Sequence, residues 1–127
     1  MTGKPILLIE DDEDLRQMYT LIFTKSGYQL ETANDGMQGL AKARQGGYGV
    51  ILLDLMMPKL DGIGFLKELQ KEKPRQPNGP ILILSNAGYN TVAEEAMKLG
   101  ASGFLLKADY LPADLVKEVE KHLKDER

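Results

Sequence analysis

Val50-Ile51-Leu52-Leu53-Asp54-Leu55-Met56-Met57-Pro58-Lys59-Leu60-Asp61-Gly62 is the stretch on which the fold turns. Four aliphatic residues run without alternation into a carboxylate, and an apolar loop closed by Pro58 and Asp61-Gly62 follows. So short and continuous an aliphatic run reads as a strand buried on both faces, the kind found in parallel sheets. Asp54 then stands at the strand's carboxyl end, the edge of an open α/β sheet where ligands bind.

Outward from that strand the chain repeats one unit. Pro5 to Ile9 reads as a first buried strand that runs straight into Glu10-Asp11-Asp12-Glu13-Asp14. Leu15, Met18, Tyr19, Ile22 and Phe23 fall on one helical stripe, which Ser26-Gly27 ends. Tyr28 to Ala33 alternates and reads as an edge strand; Asn34-Asp35-Gly36 then starts a second helix with Met37, Leu40 and Ala41 inward. A third helix begins near Gly62 and turns Phe65, Leu66 and Leu69 inward, before a polar, proline-punctuated loop from Lys71 to Pro80. Ile81 to Leu84 is another two-sided strand, ending on Ser85-Asn86. Thr91 is expected to cap a fourth helix with Val92, Ala93, Ala96 and Met97 inward, and Ser102 to Lys107 is the fifth strand. Pro112 opens the last helix in its first turn, where a missing N–H costs nothing, and Leu115, Val116, Val119 and Leu123 form its inner face.

Five strand–helix units with short links specify a parallel sheet with helices on both faces. Right-handed crossovers leave few strand orders. An edge position for the second strand favours 2-1-3-4-5, the order already described for flavodoxin-like doubly wound (βα)5 folds. The 127 residues are expected to form one domain, 1–127, with no effector domain after it.

Composition narrows the function. The net charge is −3, so no basic field recommends nucleic acid or an anionic membrane. The apolar runs are of strand length and the first strand follows Met1-Thr2-Gly3-Lys4 directly, which predicts a protein without membrane spans or signal peptide. Zero cysteines exclude disulfides, thiolate metal sites and thiol catalysis, and suit a cytoplasmic location.

In the order 2-1-3-4-5 the crevice lies where strands one and three part. Glu10 and Asp11 follow strand one, Asp54 ends strand three, Ser85 ends strand four and Lys107 ends strand five. Three carboxylates so close repel one another unless cations intervene. Lys107 supplies one positive charge and Mg2+ two, which balances the site; Mg2+ suits one or two carboxylates with waters and phosphate oxygens, and Mn2+ is an acceptable substitute. Phosphoryl transfer needs positioning and charge neutralisation more than acid–base groups, and a carboxylate is an accepted nucleophile for it. Asp54 would attack, with Lys107 and Ser85 contacting the phosphoryl oxygens and the phosphate arriving from another molecule.

Ile9-Glu10-Asp11-Asp12, Leu53-Asp54-Leu55-Met56-Met57-Pro58 with Asp61-Gly62, Leu84-Ser85 and Leu106-Lys107 together resemble the motif set of bacterial two-component response regulator receiver domains, of the stand-alone, chemotaxis-regulator-like kind. The likeness covers essentially the whole chain in order and spacing. It implies that Asp54 is the phosphoacceptor, that Asp11 ligates Mg2+ directly and Glu10 mostly through water, and that Met56 adds its backbone carbonyl. It also implies that Lys107 pairs with the phosphate, that Ser85 and Phe104 form the switch, and that Met56, Asn86 and Ala87 tune the rates. Implied partners are a histidine kinase or phosphotransfer protein and a downstream protein on the face of helix 4, strand 5 and helix 5. The protein would be a monomer or a weak phosphorylation-dependent dimer, and no conventional enzyme beyond catalysing its own phosphorylation and dephosphorylation. Two positions depart from the family pattern. Ala108 replaces the usual proline, so a trans Lys107–Ala108 bond is expected, because a non-proline cis bond costs roughly 3–4 kcal/mol. Asn86 replaces a small residue.

Plainer readings stand beside these. Asp12, Glu13 and Asp14 suit the positive end of a helix dipole, Asp61-Gly62 a turn and cap, and Met18, Met37 and Met97 a core. His122 sits late on the last helix, away from the strand ends. An Asp-nucleophile phosphatase of the haloacid type wants a second acid two residues after the nucleophile, where this chain has Met56. A flavodoxin wants a Ser/Thr/Gly-rich phosphate loop where this chain has acids. A degenerate receiver that binds partners without phosphorylation is a third alternative, which the intact set of site residues disfavours.

Overall fold

The aliphatic runs form one parallel sheet in the computed structural model, which describes residues 3–123. Met1 and Thr2, part of the stretch read as leaderless, and residues 124–127 of the expected domain lie outside the described residues. The strands are β1 (Ile6–Ile9), β2 (Leu30–Ala33), β3 (Val50–Leu53), β4 (Ile81–Ser85) and β5 (Gly103–Leu106), in the order β2-β1-β3-β4-β5. The helices are α1 (Glu13–Lys25), α2 (Gly36–Gln45), α3 (Gly62–Lys71), α4 (Thr91–Lys98) and α5 (Pro112–Leu123).

Alternation along the buried strands divides the core. Ile6 and Leu8 of β1, with Val50 and Leu52 of β3, pack against Tyr19 and Phe23 of α1 and Leu115, Val116, Val119 and Leu123 of α5. Leu7 and Ile9, with Ile51 and Leu53, pack on the other face against Leu40 and Ala43 of α2, Phe65 and Leu66 of α3 and Ala93 and Ala96 of α4. Phe23 and Phe65 are fully enclosed, one on each face, and truncating either to alanine is expected to cost about 3–5 kcal/mol.

Three sequence expectations are corrected. In α2 the inward residues are Gly36, Gly39, Leu40 and Ala43, whereas Met37 and Ala41 face solvent. The reason is clearance: a Cβ on Gly39 would lie 2.6 Å from Ile9 Cδ1, and one on Gly36 would lie 1.8 Å from the Leu60 carbonyl oxygen. The sheet therefore accepts the glycine face of α2, and the methionine is left outside. In α4 the cap is Asn90, whose side chain accepts from Ala93 N–H at 2.9 Å, so Thr91 is the first helical residue. Val92 then points outward, 40% exposed. Asp61 caps α3 as expected, accepting from Gly64 N–H at 2.8 Å. No cis peptide bond occurs among the described residues, so Lys107–Ala108 is trans.

Candidate functional site

Register brings the polar strand ends together. Ile9 pairs with Leu53, and the Asp54 N–H donates to the Ile9 carbonyl at 3.1 Å, so Glu10 and Asp54 leave adjacent strands side by side. Ser85 pairs with Leu106, which puts Lys107 next to the end of β4. Glu10, Asp11, Asp54, Met56, Ser85, Asn86, Ala87 and Lys107 all border one cleft of about 290 Å³. Phe104 lies apart from it, half-buried, with its ring edge-on to Tyr89 at 5.3 Å between centroids.

The charges in the cleft are unequal. Glu10, Asp54 and Ser85 are buried, Asp11 is exposed, and carboxylate oxygens of Glu10, Asp11 and Asp54 lie within 4.8 Å of one another. Lys107 Nζ donates to Glu10 Oε1 at 2.6 Å and stands 3.9 Å from Asp54 Oδ2. The lysine thus belongs first to Glu10. Asp54 Oδ1 accepts the Met56 N–H at 3.2 Å. Burial raises the Asp54 carboxyl most; Lys107 pulls it down, Glu10 pushes it up, and the outcome is about 6. The Ser85 hydroxyl is turned to its own loop, donating to the Ala87 carbonyl and accepting the Ala87 N–H, both at 3.1 Å.

Two features escaped the sequence. Arg16 Nη1 donates to the backbone carbonyls of Glu10 at 2.8 Å and Asp11 at 2.9 Å, a cation spaced one helical turn inside an acidic helix start. Lys59 adopts a positive φ of 69° in the loop after β3 and sits 3.6 Å from buried Asp35, the cap of α2. The Gly62 spacing hinted at a tight loop there, but nothing local marked Lys59.

Three oxygen donors, two of them enclosed, with one lysine among them, are the donor set of a hard divalent cation. Three negative charges against one positive leave an excess of two, which such an ion would offset. The residues present therefore fit Mg2+.

The family described as the response regulator receiver domain matches residues 6–120. Chemotaxis protein CheY of Thermotoga maritima is 31% identical over 120 residues, covering 94% of this chain and 97% of that protein. The transcriptional regulatory protein CpxR homolog of Haemophilus influenzae is 36% identical over 102 residues, 80% of this chain, but this chain spans only 43% of its length. The receiver domain of the sensor histidine kinase PA1611 from Pseudomonas aeruginosa superposes with a TM-score of 0.81 at 25% identity, covering 97% of this chain and 99% of that one, and carries a magnesium ion in its active-site cleft.

Proposed function

This chain belongs to the response regulator receiver domain family of phosphoacceptor signalling modules, and from that premise we propose that Asp54 takes the phosphoryl group. The observation that carries the assignment is the crowding of Glu10, Asp11 and Asp54 oxygens within 4.8 Å at the carboxyl end of the sheet. Asp54 is the member at the centre, on β3 between β1 and β4. An Asp54 carboxylate oxygen attacks the phosphorus of a phosphohistidine or acyl phosphate. The P–N or P–O bond to the donor breaks, and the electron pair leaves with the imidazole or carboxylate, giving an aspartyl phosphate.

Asp11, Asp54 and the Met56 carbonyl would hold Mg2+ directly, and Glu10 mostly through water; bound there, the ion supplies charge neutralisation for the phosphoryl oxygens, as Mn2+ would in its place. Lys107, held by Glu10 and 3.9 Å from Asp54, would shift toward the phosphoryl group as the pairing cation, and Ser85 would turn from the Ala87 carbonyl to the new dianion. A charge-assisted hydrogen bond is stronger than the neutral one it replaces, which favours that turn. Movement of Ser85 draws the loop of Asn86, Ala87 and Gly88, opening room for Phe104 and changing the face of α4, β5 and α5. The coupling is expected to be modest, ~1–3 kcal/mol. Met56, a residue 76% exposed, and Ala87 offer no group to orient an attacking water, so the phosphoprotein is long-lived.

The module's partners are a histidine kinase or phosphotransfer protein upstream and a target protein on that face, with the receiver acting in the cytoplasm, monomeric or weakly dimeric when phosphorylated. No helix among the described residues is long and apolar enough to cross a membrane. The test is intact mass after incubation with acetyl phosphate and Mg2+. One added phosphoryl group, labile to hydroxylamine, is expected for wild type and none for Asp54→Asn or without a divalent cation. Equal labelling of Asp54→Asn would sink the assignment, and no labelling of wild type would point to a receiver that acts by binding alone.

A further inference from the structure

We propose that Arg16 is a positioning residue for divalent-cation binding, holding the corner between β1 and α1 that presents Glu10 and Asp11; this rests on the reading of the acidic cleft as an Mg2+ site. Nη1 of Arg16 carries two hydrogens and places one on each of two successive carbonyls, Glu10 O at 2.8 Å and Asp11 O at 2.9 Å. These residues lie after the last β1 residue, Ile9, and before the first α1 residue, Glu13; the β1–β2 ladder still reaches the Glu10 N–H, and Asp11 lies beyond it.

The two acids are held unequally. Glu10 is tied on several sides: its N–H donates to the Ala33 carbonyl at 3.0 Å, and its carboxylate accepts from Lys107 at 2.6 Å and from Asp12 N–H at 3.1 Å. Among the described residues no hydrogen bond holds the exposed Asp11 carboxylate, so its direction follows from where its backbone is pinned. Arg16 does the pinning, from a helix whose first turn is itself anchored by the Asp12 cap on Leu15 N–H at 3.1 Å.

Its choice of partner matters as much as its reach. A guanidinium paired with the carboxylates would compete with a metal ion for them. By donating to carbonyls instead, Arg16 orients the acids and leaves their oxygens available. Lysine is a poor substitute, because its strongly hydrated ammonium lacks the planar, pre-organised donors of arginine.

The test titrates Mg2+ without any phosphodonor into wild type, Arg16→Ala and Arg16→Lys, following backbone amide shifts of residues 10–12 and 54–56. Thermal melts in chelator run alongside. The midpoint is expected to move about tenfold higher in Mg2+ for Arg16→Ala, the lower end of outer-shell losses, and by less for Arg16→Lys. Shifts at saturation should match wild type, because the ligands themselves remain. A merely structural role would lower the melting temperature and leave the midpoint in place, and that result overturns the proposal. Should Arg16→Ala not fold, Arg16→Lys decides: a wild-type midpoint there overturns it. If wild type shows no Mg2+-dependent shift, the metal-site reading itself fails and this inference with it.

Discussion

At the amino-terminal end of the sheet, the Tyr48 hydroxyl donates to Glu31 at 2.8 Å, its N–H donates to Asn78 Oδ1 at 3.2 Å, and Asn78 in turn donates to the Ala43 carbonyl at 3.0 Å. Tyr28, also at that end, donates to Glu120 at 2.7 Å. Every one of these groups finds a partner of opposite need. At the carboxyl end, Glu10 and Asp54 share one lysine, with a third carboxylate beside them. The same sheet thus ends on one side in these paired hydrogen bonds, with Arg44 Nε nearby the one buried side-chain polar atom among the described residues that lacks one, and on the other in an unbalanced charge. Buried polar groups are generally paired, so the excess of carboxylates at this end fits the proposed cation site.

The comparison can be broken by removing one group at a time from metal-free protein. The largest effect is expected from Lys107→Ala, which strands Glu10, only 2% exposed, without its cation. Losing one partner of a buried pair costs about 3–5 kcal/mol, to be read from chemical denaturation in chelator. A loss below about 1 kcal/mol would mean that Glu10 is less dependent on Lys107 than their 2.6 Å contact implies.

Asp54→Asn should act with the opposite sign. The folded-state carboxyl, raised to about 6 chiefly by burial, holds its proton more tightly than the unfolded one at about 3.8. The folded protein is therefore penalised for ionising it. That penalty is absent below pH 4, grows between 4 and 6, and is complete above 6. Asp54→Asn removes it, so the variant should be more stable than wild type at pH 7 by on the order of 1 kcal/mol, after allowance for solvent screening at the cleft. The advantage should vanish near pH 4. Mg2+ should reverse the ranking by binding wild type alone. A variant less stable than wild type at pH 7 in chelator would erase the contrast between the two ends.

The smallest effect belongs to Tyr48→Phe. Burial, reinforced by the hydrogen bond to Glu31, holds this phenol well above its ordinary range, so it is a neutral donor throughout physiological pH. Its loss should destabilise by about 1 kcal/mol or less, since Glu31 is partly exposed and retains Lys42 at 3.6 Å. Phosphorylation of Asp54 should be unaffected in rate. A Tyr48→Phe protein that labels markedly more slowly would show that the two ends are coupled.

Much of this molecule is local and was legible along the chain. Continuous aliphatic runs declared the buried strands, because a two-sided strand needs apolar residues at every position. Stripes on α1 and α5, the Asp61 cap and the trans bond at Ala108 followed from spacing and from backbone energetics. The strand order followed from handedness and from one alternating strand. Those features together were enough to place Glu10, Asp54, Ser85 and Lys107 at one edge.

What only the tertiary structure decided depends on what lies across a gap. Hydropathy favours Met37 over Gly39 for the inner face of α2, yet the closeness of Ile9 leaves room only for the glycine. Asn90 and Thr91 are both competent caps, and the path of the loop from β4 chose between them. Lys107 had three clustered carboxylates within the cleft and settled on Glu10 at 2.6 Å, reaching past Asp54 at 3.9 Å, a pairing across β3 and β4 that no local spacing announces. Arg16 looked like one more charge on a polar helix face until the corner it grips existed. Periodicity, caps and strand ends are written within a few residues of sequence; clearances and pairings arise between segments that meet only after folding.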